Sequence, residues 1–241
     1  MEFHIKCQPE EVSRYVLCPG SQRLAARIAE RFDDMKKVAD DRGIVVYTGT
    51  YKGVLMTSCG TGMGGPAVAI CMEELANLGA DTFVRVGSCG VFQDSQGPGD
   101  IIIATGTVRE GGTANAYLPL EFPAVPTYEV LETLVQTAES LEIPYTVGVG
   151  IAGDAFYSPR ELYEPGLLKK AGLVSVEMES DTLFIVGQFR GLRTGALYAS
   201  DGTNNETKPV WGEEKYLQGE MDMITIALEG MLAIAKQDSE G

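Results

Sequence analysis

The sequence predicts an α/β fold: one domain with a central mixed β-sheet flanked by helices on both faces. Three observations predict it. Short β-rich segments alternate with amphipathic helical patterns along the chain. Several of the segments end in a glycine-bearing, polar or acidic loop, as strands do when their ends converge on a cleft. No internal repeat or low-complexity linker divides the 241 residues, so residues 1–241 read as a single domain large enough for a sizeable core.

The elements follow in order. Residues 15–18 predict a first strand, closed by Pro19-Gly20-Ser21. A helix over 22–32 places Leu24, Ala25, Ile28, Ala29 and Phe32 on one face, with Ser21 as its N-cap. Strand, tight glycine turn and helix N-terminus together form a geometry that binds anions. Arg23 lies in that first turn, where the helix dipole disfavours a cation unless an anion is near. Residues 44–48 and 54–57 predict a hairpin joined through 49–53. The loop Gly60-Thr61-Gly62-Met63-Gly64 then leads into a helix over 67–78, with Pro66 at its start and Gly79 at its end. It has neither the dinucleotide fingerprint nor the Gly-Lys-Ser/Thr of a Walker loop.

Residues 82–86 predict a strand that stops at the Gly-x-x-Gly turn of Gly87-Ser88-Cys89-Gly90. It carries Arg85, and an uncompensated charge in a buried strand costs several kcal/mol. Arg85 therefore needs an anionic partner, either a bound anion or a structural Asp or Glu, and Gly87 and Gly90 let the backbone pass close to it. Further strands are expected over 100–104, 145–151, 174–176 and 194–199. Further helices are expected over 126–142, from 177–180 through 187, and over 215–236. The strand ends carry Phe156-Tyr157, Glu177-Met178-Glu179 and Ser200-Asp201-Gly202.

Composition narrows the function. The net charge of −15 opposes a nucleic-acid partner. No run approaches the roughly 20 apolar residues of a membrane span, and the first residues lack a basic-then-apolar leader pattern. Cys7, Cys18, Cys59, Cys71 and Cys89 form no C-x-x-C pair. That points to reduced thiols in a cytoplasm and away from zinc.

Taken together, Pro19-Gly20, Gly60-Thr61-Gly62-Met63-Gly64, Arg85-Val86-Gly87-Ser88-Cys89-Gly90, Phe156-Tyr157, Val176-Glu177-Met178-Glu179 and Ser200-Asp201 form an ordered set. In order and spacing the set resembles the nucleoside phosphorylase family, of the hexameric purine nucleoside and uridine phosphorylase type. The resemblance implies that Gly20, Arg23, Arg85 and Ser88 hold phosphate. It implies that Met63, Met178 and Glu179 hold the ribose, and that Cys89, Gly90, Phe156 and Glu177 line the base with Asp201. It further implies that His4 and Arg42 reach into a neighbouring subunit of a homohexamer, a trimer of dimers, with inorganic phosphate as co-substrate and no other cofactor. Two departures bear on the base. Uridine enzymes of the family read uracil with a Gln and an Arg after the Phe-Tyr pair, where Arg160 and Leu162 stand here. Bacterial purine enzymes follow the Asp with His and place an arginine about a dozen residues later, where Gly202 and Lys215 stand here. Asp-Gly followed by Trp211 is closer to the apicomplexan purine enzymes.

The chemistry matches these residue types. Arginine forks bind phosphate oxygens bidentately and stay charged. A desolvated carboxyl at Asp201 would have a raised pKa and donate to purine N7 as the glycosidic bond breaks. Without the resemblance, Asp201 reads as a turn cap and the methionines as core fillers. The expectation is a purine nucleoside phosphorylase of purine salvage. The alternatives are a uridine phosphorylase, a nucleosidase and a non-catalytic nucleoside-binding module.

Overall fold

The computed structural model describes residues 2–158, 166–203 and 213–240. Its centre is β1 (Tyr15–Pro19), which runs parallel to both β4 (Val54–Gly60) and β5 (Thr82–Val91). Outward from β4 lie β3 (Ile44–Tyr51) and then β2 (Asp33–Asp41), both in antiparallel ladders. On the other side the sheet curls. β5 pairs in parallel with β9 (Arg193–Thr203), β9 antiparallel with β6 (Ile101–Arg109), and β6 in parallel with β7 (Tyr145–Ala152). β7 pairs with β8 (Ser175–Glu177), which returns to β5 through Gly90 and Val176. The strands thus close into a ring at the carboxyl end of β5, bringing β8 and β9 to the same place.

Helices cover both faces, as period-two alternation along buried strands requires. Val16 and Cys18 of β1 face a cluster built with α2 (Gly65–Asn77) and α6 (Ser180–Arg190), through Val68, Met72, Leu75, Leu183 and Phe184. Tyr15 and Leu17 face the opposite cluster, built with α1 (Gln22–Ala29), α4 (Tyr128–Ser140) and α7 (Glu213–Glu240), through Leu24, Ile28, Leu134, Met223 and Met231. Each fully buried Leu, Ile or Met of these stripes contributes about 1.5–3 kcal/mol. All five cysteines are free and buried. No helix among the described residues is long and apolar enough to cross a membrane.

The structure differs from expectation in five places. β5 does not stop at Gly87 but runs on through Gly90 to Val91. The hairpin is tighter than expected, because Lys52 and Gly53 both adopt positive φ (48° and 84°) and form a two-residue turn. Gly49 is therefore a strand residue, and a Cβ there would come within 2.8 Å of the Asp33 carbonyl of β2. β2 itself was not expected, since Asp33-Asp34-Met35-Lys36-Lys37 is polar; it is an exposed edge strand whose charges suit that position. Two short helices were also unforeseen, α3 (Gly112–Tyr117) and α5 (Leu167–Lys170). Finally, α1 ends at Ala29, short of Phe32, which turns into β2.

Candidate active site

Arg85 sits in β5, almost fully buried, with its guanidinium folded back along the strand. Gly87 allows this: a Cβ there would stand 2.6 Å from Nη1 and 2.8 Å from Cζ. Gly87 is thus a close-approach glycine rather than a turn residue. Gly20, at the end of β1, faces the same fork, with its Cβ position 3.1 Å from Nη1 and 3.5 Å from Nη2. The anionic partners of Arg85 are Glu177, which accepts from Nε at 3.4 Å, and Glu179, which accepts from Nη2 in a very short bond. Burial opposes the guanidinium charge, but Glu179 and Glu177 more than offset it and hold Arg85 protonated.

The two carboxylates are positioned by the β8–α6 junction. Glu177 ends β8, and Glu179 precedes the first turn of α6, so a chain reversal of two residues puts both beside Arg85. Glu179 Oε1 also accepts the Gly64 N–H at 2.6 Å, drawing in the glycine loop after β4. Gly64 has φ 89°, a conformation open to glycine. Glu177 accepts the N–H groups of Glu179 and Ser180 at 3.0 and 2.9 Å and the Ser180 hydroxyl at 2.7 Å. Burial pushes the Glu177 carboxyl above the usual range and Glu179 adds to this, while Arg85 and Ser180 pull it back. One cation faces two buried carboxylates, so the cluster is rich in negative charge.

Asp201 belongs to the same strand ends. Cys89 of β5 pairs with Ser200 of β9 and Gly90 pairs with Gly202, leaving Asp201 as the extra residue of a β-bulge. Bulges of this kind re-aim a side chain and gather near active sites. Asp201 is half-buried. Burial raises the Cys89 thiol, Asp201 and Glu177 raise it further, and Arg85 opposes them, so all three charges lie around Cys89. Cys89 is a buried thiol, and half-exposed Gly90 joins β5 to both β8 and β9.

The other expected site residues divide. Ser88 and Met178 are half-buried beside this cluster in sequence, while Met63 is exposed on the glycine loop. Phe156 and Tyr157 are exposed, edge to face at 4.9 Å, in the loop over 153–158. Arg23 is not turned to Arg85: its Nη2 donates to Glu220 Oε2 of α7 at 2.9 Å. Arg27 donates to the other Glu220 oxygen, and the Tyr216 hydroxyl donates at 2.9 Å. His4 is held by Glu74 of its own chain through its N–H at 2.9 Å and its ring Nδ1 at 2.5 Å. Arg42, at positive φ in the β2–β3 turn, lies over the Phe3 ring at 5.4 Å. Neither His4 nor Arg42 bonds to Arg85, Glu177 or Glu179 within this chain. Arg160, Leu162 and Trp211 lie outside the described residues.

Glu220 was not singled out from sequence. Gly87 was read as clearance for an anion beside the backbone, whereas the group it clears is the Arg85 guanidinium itself. Gly64 was read only as part of a glycine-rich loop, without its bond to Glu179. Glu220 sits in a polar stretch of α7 with nothing local to mark it as fully buried.

The sequence profile of the phosphorylase superfamily matches residues 14–232. The chain belongs to that superfamily. It is a nucleoside phosphorylase by family and therefore a pentosyltransferase. It is 37% identical to a uridine phosphorylase of Thermococcus kodakarensis, over 100% of this chain and 89% of the relative. It is also 37% identical to a guanosine phosphorylase of Halorubrum lacusprofundi, over 83% and 82% respectively. The crystal structure of a Vibrio fischeri uridine phosphorylase superposes with a TM-score of 0.90 at 32% identity, covering 95% of this chain and 96% of the other. The expectation of a purine enzyme thus has less support among relatives than the uridine alternative.

Proposed function

We propose that this nucleoside phosphorylase acts on uridine, releasing uracil and ribose 1-phosphate with inorganic phosphate as co-substrate and no other cofactor. The uridine phosphorylases of T. kodakarensis and V. fischeri, similar over nearly the whole chain, support the base assignment. The observation that carries the reaction is the Arg85 fork beneath Gly20, braced by Glu177 and Glu179. Phosphate approaches the Nη edge of Arg85 on the Gly20 side, with Ser88 adding a hydroxyl. Glu179 then accepts from the ribose hydroxyls, giving up its bond to Arg85 as phosphate takes that N–H. An oxygen of hydrogen phosphate attacks the anomeric carbon while the bond to the base breaks and its electron pair leaves on the base, which takes up the proton that the phosphate gives up on becoming the sugar phosphate. Positioning and charge stabilisation of an oxocarbenium-like state supply the rate. Arg42 and His4, donated across a dimer, would complete the site in a cytoplasmic homohexamer.

A purine substrate is the second reading, and a specific observation favours it. Asp201 stands on the bulge beside Cys89, where a carboxyl can protonate N7 of a purine. The guanosine phosphorylase of H. lacusprofundi is a further support. A panel of uridine, guanosine, inosine and adenosine, each with and without phosphate, tests both. Phosphate-dependent release of uracil above all others supports the first reading. Preferential release of a purine supports the second, and phosphate-independent cleavage overturns both.

A further inference from the structure

Glu177 has no lone pair left for a substrate. A carboxylate offers about four acceptor positions, and here each is taken by the protein. Oε2 accepts from Arg85 Nε at 3.4 Å and from the Glu179 N–H at 3.0 Å. Oε1 accepts from the Ser180 N–H at 2.9 Å and the Ser180 hydroxyl at 2.7 Å. The side chain is 3% exposed. A group that reads a base must turn at least one acceptor toward it, and Glu177 turns all of them toward Arg85 and the start of α6.

We infer that Glu177 is a positioning residue for Arg85 and not a reader of the base. It fixes the Nε edge of the guanidinium, so that the Nη edge lies under Gly20, where the phosphate reading needs it; the inference rests on that reading. The brace is stiff because it joins β5 to the β8–α6 junction through backbone N–H groups that the helix start holds in place. The charged and titratable groups facing Glu177 are Arg85, Glu179, Cys89 and Tyr198. Arg85 is the only cation among those, so weakening the brace leaves the guanidinium with Glu179 at Nη2 as its one carboxylate partner, beside the Val86 carbonyl 3.4 Å from Nη1.

The test compares the wild type with Glu177→Gln, which keeps the shape but turns an N–H₂ toward donors. Inorganic phosphate is titrated calorimetrically, and phosphate and nucleoside KM are measured separately. The inference predicts that phosphate Kd and KM rise by about 10-fold or more, the size expected for loss of one charge-assisted bond. Nucleoside KM should stay within about 2-fold, since uniform binding of the base is untouched. Ser180→Ala removes a hydroxyl bond to the same carboxylate without touching Arg85; it should lower Tm and leave phosphate binding alone. Should Glu177→Gln fail to fold, Glu177→Asp is expected to weaken phosphate binding in the same selective way. A rise in nucleoside KM with phosphate constants unchanged overturns the inference, as does no change in either. If the wild type binds phosphate but cleaves no nucleoside, the functional reading falls while phosphate Kd still decides this one. A wild type that binds no phosphate overturns both.

Discussion

The guanidinium of Arg85 lies directly over Gly87, where a Cβ would stand only 2.6 Å from Nη1. The side chain is folded back on its own strand, and Glu177 and Glu179 hold it there. Gly87→Ala should therefore push the fork out of place without removing any polar group. Steady-state kinetics should show a loss of about 100-fold in kcat/KM for phosphate, the scale of a misplacement near 1 Å, with far-UV circular dichroism unchanged. Unaltered phosphate kinetics would mean that the fork has room to spare.

Glu179 links the glycine loop, through the Gly64 N–H, to Arg85. As the proposed acceptor of the ribose hydroxyls it should tell ribose from 2′-deoxyribose. Glu179→Gln is expected to lower kcat/KM for the ribonucleoside by about 10- to 100-fold, from the loss of a charge-assisted hydrogen bond. It should affect the 2′-deoxynucleoside less. Parallel measurement on both sugars checks this, and equal losses would remove the hydroxyl contact.

Asp201 distinguishes the two base assignments. If a purine is cleaved with Asp201 as acid, Asp201→Asn should slow that cleavage by about 10²- to 10⁴-fold. Uridine, which has no N7, should be affected much less. Turnover of guanosine and uridine by the variant is the check, and near-normal guanosine cleavage would take the acid role away from Asp201.

Much of this was legible in sequence. Period-two and period-3.6 patterns located β1, the start of β5, α2 and α7 within a few residues, because their apolar faces are buried; β7 was located too, although its Val147 and Val149 are exposed. β2 escaped because its pairing with β3 rests on backbone bonds and leaves no apolar stripe. The need of Arg85 for an anion was evident. The identity of that anion was not, since Glu177 and Glu179 lie 92 and 94 residues further on. Gly87 was legible as a clearance glycine, but not that the group it clears is the Arg85 guanidinium, because the rotamer of Arg85 is set by Glu177 and Glu179. The resemblance implied Arg23 at phosphate; within this chain it donates to the distant Glu220, which nothing local to Arg23 announces. Base preference was least legible, and the positions that the resemblance ties to it, Arg160 and Leu162, lie outside the described residues.

Glu220 is fully buried between Arg23, Arg27 and Tyr216. Removing it leaves two arginines without their common counter-ion. Glu220→Ala should destabilise the fold by about 1–2 kcal/mol, through lost charge-assisted bonds to arginines that stay partly hydrated once unpaired, as read by urea denaturation. Loss of less than about 1 kcal/mol would mark the cluster as a solvated surface pair.

Asp181, buried in the first turn of α6, accepts the N–H groups of Gly111 and Thr182. Burial raises its carboxyl from 3.8 to about 6 despite those bonds. A raised folded-state pKa stabilises the fold fully below the unfolded value and loses that stabilisation as pH rises through the folded one. The wild type should therefore lose stability relative to Asp181→Asn between pH 4 and pH 7, by on the order of 2–3 kcal/mol. Denaturant midpoints at both pH values check the sign, and a difference independent of pH would contradict it.

The most direct measurement is the dependence of nucleoside cleavage on phosphate concentration, for the wild type and for Arg85→Ala. The account predicts saturable phosphate dependence in the wild type and a phosphate KM raised by about 100-fold or more in the variant, as loss of a bidentate phosphate ligand implies. An unchanged phosphate KM in Arg85→Ala would contradict it.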